Sequence, residues 1–240
     1  MSNRSHTKVS VLTLRWADGS PGFQAECEAL GRMFTDLFHY DVSHFAIPSL
    51  SSESLLLSRI AKHLINARVQ PNPPLVIIHY GGHAGANNSK TNGKAEGLEW
   101  AAQESGGPTV DWSLIQNELA AFAPRITILL LLDCCHAAQP SKGMAARELK
   151  FHILAASGRR EKTLSPGKGS FTAALIQEIT ALLAEKGVVD ISTLHYRLLH
   201  EGILFGTPVY SCPGGPMRLE PKSVTLITKL RIRRVAWLCF

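Results

Sequence analysis

The sequence predicts an α/β sandwich on a mainly parallel sheet. Three observations carry the prediction. Short apolar runs of β type alternate with segments whose apolar residues recur at helical spacing. No internal repeat and no clear linker interrupts residues 8–221, which reads as one domain. At 240 residues and 45% hydrophobic content the chain can bury one sizeable core. Crossovers between the parallel strands are expected to be right-handed.

Each element follows from local chemistry. "KVSVLTLRW" (Lys8 to Trp16) reads as the first strand. "GFQAECEALGRMFTDLF" carries Phe23, Cys27, Leu30, Phe34 and Leu37 at helical spacing. "YDVSHFAIP" is a second strand stopped by Pro48. The Ser-rich stretch Ser49 to Ser54 opens a helix with Leu57, Ile60, Ala61 and Leu64 on one face. "PLVIIHY" is a third strand ending at Gly81-Gly82, and the Gly/Asn/Ser-rich segment from Ala84 to about Pro108 reads as a long loop, functional or disordered. Asp111 caps a helix with Trp112, Ile115, Leu119 and Phe122 on its face, ended by Pro124. Ile126 to Leu132 is a fourth, fully apolar strand. After the loop "QPSKGMAAR" comes the strand "KFHILAAS" and then the polar, basic stretch Gly158 to Gly169. Ser170 caps a helix closed by Gly187, Asp190 caps another, and "TPVYSC" and "PMRLEP" are short β pieces. Residues 1–7 are expected to be disordered. Residues 222–240 form a basic and apolar tail that reads equally as an edge strand, an amphipathic segment or a disordered end.

Composition narrows the function classes. No apolar stretch is long enough to span a bilayer. The opening "MSNRSHTKVS" is polar, unlike a secretory signal, so a cytoplasmic location is expected. Five cysteines, two of them adjacent at 134 and 135, do not make a disulfide framework. Reduced thiols follow, and a reduced thiol can be a nucleophile. The net charge of +6 permits contact with nucleic acid, yet no zinc-finger, RNA-recognition or helix-turn-helix pattern accompanies it. No specific nucleic-acid partner is expected.

Ligands of open parallel sheets bind beyond the carboxyl ends of the strands. Two strands here end in reactive groups: the third in "HYGGHAG", presenting His83, and the fourth in "LDCCHAA", presenting Cys134 or Cys135. If those strands are neighbours, a thiol and an imidazole meet at one rim. A thiol peptidase needs both, because the sulfur attacks the carbonyl and the imidazole must protonate the leaving amine. The separation, 135 − 83 = 52 residues, matches the Cys with a His about 50 residues upstream of the caspase pattern.

With these motifs the chain resembles the caspase/metacaspase superfamily, and most of all its fungal caspase-like branch. "HYGGHAG" resembles the family's Y-[SG]-G-H-G block, and "LLLLDCCHAA" its D-x-C-H block. "HILAASG" and "GSFTAALIQEI" resemble the strand-loop-helix that follows, and the match runs from about Val9 to Leu219. The resemblance implies a caspase-like three-layer α/β/α sandwich with a mostly parallel six-stranded sheet. It implies cysteine endopeptidase activity on protein or peptide substrates, with His83 as general acid/base and Cys135 as nucleophile. The amides of Cys135 and of an Ala84-Gly85 turn would form the oxyanion hole. Asp133 and Glu26 would shape a pocket for a basic side chain, with Ser157 either lining the groove or ending a strand. Lys142 and Arg147, in the loop after the fourth strand, are autoprocessing candidates. Self-association is a further expectation.

Departures from the pattern bear on these roles. The family carries Gly directly after its histidine and this chain has Ala84; an αL conformation there would penalise Ala, and Gly85 can take over only after a local shift. Metacaspases often carry acids where this chain reads "GRREK". Arg15, Arg159 and Arg160 offer the alternative of an acidic substrate. Between residues 84 and 112 only Glu96, Glu99, Glu104 and Asp111 are acidic, so neither an obligatory calcium ion nor another cofactor is expected. Blander readings stay open beside these. Cys135 can be an inert buried thiol, Cys134 a packing residue, His79 a core histidine and Glu26 a first-turn acid. Trp100 can shield the site or fill a loop cluster. His79, His83, Cys135 and His136 also have zinc-ligand chemistry without a finger framework. The chief alternative function is a pseudo-protease that acts as a signalling or interaction module; another is a metal- or redox-responsive domain built on Cys134 and Cys135.

Overall fold

The computed structural model describes residues 8–68, 74–87, 97–135, 137, 151–158, 163–200, 207–211 and 224–228. Its core is a six-stranded sheet. The strands are β1 (Val9–Trp16), β2 (Asp41–Ile47), β3 (Leu75–Gly81), β7 (Thr127–Asp133), β8 (Phe151–Ala155) and β10 (Val209–Ser211). Their order is β10-β8-β7-β3-β1-β2. Neighbours from β8 to β2 pair in parallel, and β10 closes one edge antiparallel to β8.

Every residue of β3 and β7 is buried. That is why both read as continuous apolar runs: a parallel strand in mid-sheet is covered on both faces. Alternation then sorts side chains to two cores. Leu12, Leu14, Trp16, Ile78, Tyr80, Leu130, Leu132 and Cys134 pack on one face. That face is covered by α2 (Ser52–Arg68) and α3 (Trp112–Phe122). Val11, Ile77, Leu129, Leu131 and Leu154 pack on the other. There they meet α1 (Pro21–Phe38), α4 (Phe171–Lys186) and α5 (Ile191–His200). The result is a three-layer sandwich.

The expected caps hold their helices. Ser170 Oγ accepts from Ala173 N and Gly187 ends α4 with φ 66°. Asp111 accepts from Ser113 N, and Asp190 from Thr193 N. One helix face differs from expectation. In α2 the buried line is Leu56, Ile60 and Leu64, with Leu57 and Ala61 half-buried at its flank, because i, i+4 and i+8 stack along one stripe.

The segment expected as a long loop after β3 contributes two strands to a second sheet, and residues 88–96 lie outside the described residues. Strands β4 (His83–Asn87), β5 (Gly97–Ala101) and β6 (Thr109–Asp111) pair antiparallel in that order. The anchor is aromatic. Trp100 is buried, stacks on Tyr80 of β3 with centroids 3.8 Å apart, and packs on Trp112 at 5.0 Å. A polar composition concealed a strand whose stability comes from one large ring meeting two others.

The tail contributes to the core. Thr225–Leu226 forms β11, antiparallel to β9 (Val189–Asp190). Val224 and Leu226 are buried with α4 and α5, and Tyr40 Oη donates to the Ile227 carbonyl at 2.9 Å. The strand expected at "PMRLEP" lies outside the described residues, as do the ends of the chain at 1–7 and 229–240.

Candidate active site

The third and fourth strands of the sequence are neighbours. β3 and β7 pair in parallel, with Gly81 opposite Asp133, and Gly82 N donates to Asp133 O at 3.2 Å. His83 lies two residues beyond Gly81, and Cys135 two residues beyond Asp133. Both leave the sheet at its carboxyl edge, from adjoining strands and at the same level. They also share a side. Phe23 of α1 meets the His83 ring edge-to-face, centroids 5.4 Å apart. Thr163, in the segment leading to α4, donates its N–H to Cys135 Sγ at 3.4 Å, with its hydroxyl 3.6 Å from the same sulfur. Both residues are half-buried.

The neighbouring cysteine behaves as the strand alternation demands. Cys134 is fully buried in the α2/α3 core, and burial raises its thiol well above the usual range. Cys27 is buried too, pushed up to about 12 by desolvation. Both hold their protons at neutral pH. Among the three described thiols, only Cys135 is accessible enough to react.

His83 is held through its backbone. Trp16 Nε1 donates to Tyr80 Oη at 3.0 Å, and Tyr80 Oη donates to the His83 carbonyl at 2.8 Å. Both aromatic residues are buried. A Cβ on Gly82 would lie 2.5 Å from Tyr80 Oη, so the chain turns over the phenol only because residue 82 has no side chain. Tyr80 and Trp16 were not singled out from the sequence. The signal was the Tyr three residues before His83, within a block already read for its histidine.

The expected Ala84-Gly85 turn is instead strand. Ala84 faces Trp100 in the β4/β5 register and Gly85 faces Glu99. Neither backbone has the positive φ that would require glycine. The methyl of Ala84 packs against the α2/α3 core, and a Cβ on Gly85 would meet open space.

The two acids of the expected pocket lie close enough to couple. Asp133 is 2% exposed, and its carboxyl is raised from 3.8 to about 6. Desolvation is the main cause; the hydrogen bonds from Thr172 oppose it, and the nearby Glu26 charge adds to it. Thr172 donates to Asp133 Oδ2 from its backbone N at 2.9 Å and from Oγ1 at 2.7 Å. Glu26 Oε1 accepts from Gly167 N at 2.8 Å and from Ser170 Oγ at 2.6 Å. Glu26 lies beyond the first turn of α1, so it is not the first-turn acid of the blander expectation; it ties α1 to the start of α4. Among the described residues neither acid is in an ion pair with a Lys or Arg.

Other expected residues fall elsewhere. Ser157 is fully buried and donates to the Cys134 carbonyl at 3.3 Å. Burial corrects its reading as a groove residue: it braces the chain behind Cys135. His79 is a core histidine, lowered by desolvation to about 3. Arg15 donates to the Trp16 carbonyl at 3.0 Å. Lys142, Arg147, His136, Arg159, Arg160 and Glu96 lie outside the described residues. Among the described residues, no group of three or more His, Cys, Asp or Glu is arranged to hold a metal ion, and no helix is long and apolar enough to cross a membrane.

This architecture, with its helices and strand order, is a caspase-like fold. The chain is similar to caspase-1 of Spodoptera frugiperda, at a TM-score of 0.56 and 14% identity, covering 91% of this chain and 94% of that one. It is similar to the Drosophila initiator caspase Dronc, at 0.58 and 12% identity, covering 89% and 83%. A structural-genomics protein of Geobacter sulfurreducens also matches, at 0.61 and 13% identity, covering 90% and 99%. No protein-family model and no curated sequence matches. At these identities the likeness establishes the fold.

Proposed function

We propose that this protein is a cysteine-type endopeptidase that cuts after a basic residue. One observation carries the reading: adjoining parallel strands, in register at Gly81 and Asp133, each continue two residues to His83 and Cys135. The contacts of His83 with Phe23 of α1, and of Cys135 with Thr163 in the segment leading to α4, support a shared side. In the reaction, Cys135 loses its proton to His83 and the thiolate adds to the scissile carbonyl. The backbone amide of Cys135, and the one of the two Ala84-Gly85 amides that alternation points away from β5, offer hydrogen bonds to the developing oxyanion. Collapse of the adduct breaks the C–N bond, and His83 delivers the proton to the leaving amine. Water, deprotonated by His83, then hydrolyses the thioester and restores the thiol. Asp133 and Glu26 supply negative charge for a Lys or Arg side chain of the substrate. Proteins or peptides are the substrates, and cleavage at Lys142 or Arg147 within a second copy is an accessory event.

The second reading, a non-catalytic interaction module, draws on one feature. Thr163 already occupies the Cys135 sulfur, while Gly167 and Ser170 occupy Glu26. One experiment separates the two. A fluorogenic peptide library varied at the residue before the cut is offered to wild type, Cys135→Ala and His83→Ala. The peptidase reading expects turnover after Arg or Lys that falls by about three orders of magnitude or more in either variant. Turnover that survives Cys135→Ala refutes Cys135 as the nucleophile, and none by correctly folded wild type favours the module.

A further inference from the structure

Beneath the candidate pocket a buried polar chain leads to Asp133 through three side chains that the reaction does not use. Cys27 Sγ lies 3.7 Å from His79 Nδ1, and His79 Nε2 lies 2.9 Å from Thr172 Oγ1. Thr172 Oγ1 in turn donates to Asp133 Oδ2 at 2.7 Å. Cys27, His79, Thr172 and Asp133 come from α1, β3, α4 and β7, and all four are buried.

The chemistry of each group fixes the direction of the chain. A carboxylate oxygen only accepts, so the single hydroxyl proton of Thr172 goes to Asp133. Thr172 Oγ1 can then take a proton only from His79, which makes His79 the Nε2–H tautomer. Burial keeps that ring neutral, so Nδ1 is a bare acceptor facing the Cys27 thiol. The thiol proton is shared with the Leu14 carbonyl, also 3.7 Å away. Both donors of Thr172 fall on Oδ2, and among the described residues Oδ1 receives no hydrogen bond.

We propose that Thr172, oriented by His79, is a specificity-determining positioning residue: it anchors Asp133 by Oδ2 and turns Oδ1 toward the cationic end of a substrate Lys or Arg. The role rests on the basic-substrate reading above. Thr172 also keeps Asp133 charged, because its two donors oppose the desolvation that raises the carboxyl. The other ionisable groups around Asp133 are Glu26 and Cys27 on α1, Cys134 next to it in the chain and His79 on β3. Cys135 and His83 lie just beyond the strand ends, and Arg15 faces Cys27. None of the cations among them is bonded to Asp133, so Thr172 is its principal support.

The test compares wild type, Thr172→Val and Thr172→Ser on two peptides that differ only in arginine or citrulline before the cut. Citrulline keeps the shape and removes the charge. Thr172→Val is expected to lower the arginine-over-citrulline preference about tenfold or more, mainly through KM, and to move the acid limb of the arginine profile to higher pH. Thr172→Ser is expected to restore both. A readout independent of turnover is the ring ¹⁵N spectrum of His79: Nε2–H in wild type and the Ser variant, altered in Thr172→Val. Wild-type preference and an unchanged His79 spectrum in Thr172→Val overturn the proposal. Wild type that cleaves neither peptide, or favours citrulline, refutes the peptidase or basic-substrate reading instead, and the specificity role falls with it.

Discussion

Tyr80→Phe removes one oxygen from the buried support of His83 and leaves everything else in place. The ring still fills the space between Trp16 and Trp100, so no cavity opens. What changes is hydrogen bonding. Trp16 Nε1 loses its acceptor, and Trp16 is 2% exposed, so water does not replace it. An orphaned buried donor costs about 1–3 kcal/mol. The His83 carbonyl loses a 2.8 Å bond at a half-buried site, where water recovers part of the loss, about 1 kcal/mol. The sum is about 2–4 kcal/mol, and at about 2–4 °C per kcal/mol for a chain of this size the melting temperature falls by roughly 4–15 °C. The kinetic effect is larger in proportion, because displacing a reacting group by an ångström costs about a hundredfold. Calorimetry and kcat/KM on an arginine peptide measure the two. Adding Trp16→Phe to Tyr80→Phe removes the orphaned donor, so the double variant is expected to be less destabilised than the two single changes summed. Wild-type melting and wild-type turnover in Tyr80→Phe would refute the idea that the phenol positions the histidine.

Four further expectations follow from other features. Gly82→Ala forces a methyl to within 2.5 Å of Tyr80 Oη and is expected to cost about 1–3 kcal/mol. Gly85→Ala, with open space around the new carbon, should change stability by less than about 1 kcal/mol; equal losses in the two variants contradict the described path of the chain. Ala84→Gly is expected to destabilise by about 0.5–1 kcal/mol without raising activity, since the Ala84 backbone already adopts an unstrained strand conformation; a tenfold gain in kcat/KM contradicts this. Stability should also rise with pH between about 4.5 and 6.5, followed by urea midpoints. Burial lowers His63 from 6.5 to about 4 and His79 from 6.5 to about 3, so in that window the unfolded chain holds two protons that the fold lacks. Asp133, raised from 3.8 to about 6, works in the opposite sense: its contribution is present at low pH and lost as pH rises through 6. The net of about one proton gives a slope near +1.4 kcal/mol per pH unit around pH 5, roughly doubled in Asp133→Asn. A flat profile contradicts the burial of the two imidazoles.

The sheet was legible because its central strands are buried on both faces and so announce themselves as unbroken apolar runs. Asp111, Ser170 and Asp190 marked helix starts because a side-chain oxygen must meet the first free amides. The positions of His83 and Cys135 were legible for the same reason as the strands: each follows an apolar run directly, and parallel pairing brings the two ends together. The sheet β4-β5-β6 was not legible. Its strands are short and polar, and Trp100 gains its partners Tyr80 and Trp112 only in three dimensions. The supports of the site were hidden likewise. Thr163 and Thr172 act through bonds that span 28 and 39 residues of chain, and Trp16 reaches Tyr80 across 64, so no local spacing encodes them. Ser157 shows the converse: small and polar at a strand end, it read equally as a groove residue or a strand end until its burial became visible.

The central claim is that one sulfur and one imidazole share a substrate at the edge of β3 and β7. Site-resolved mass spectrometry after treatment with a peptidyl-arginine acyloxymethyl ketone tests it most directly. The account predicts a single adduct on Cys135, none on the buried Cys27 or Cys134, and slower labelling by at least tenfold in His83→Ala. Modification of another cysteine, or labelling of Cys135 at an unchanged rate without the imidazole, would contradict it.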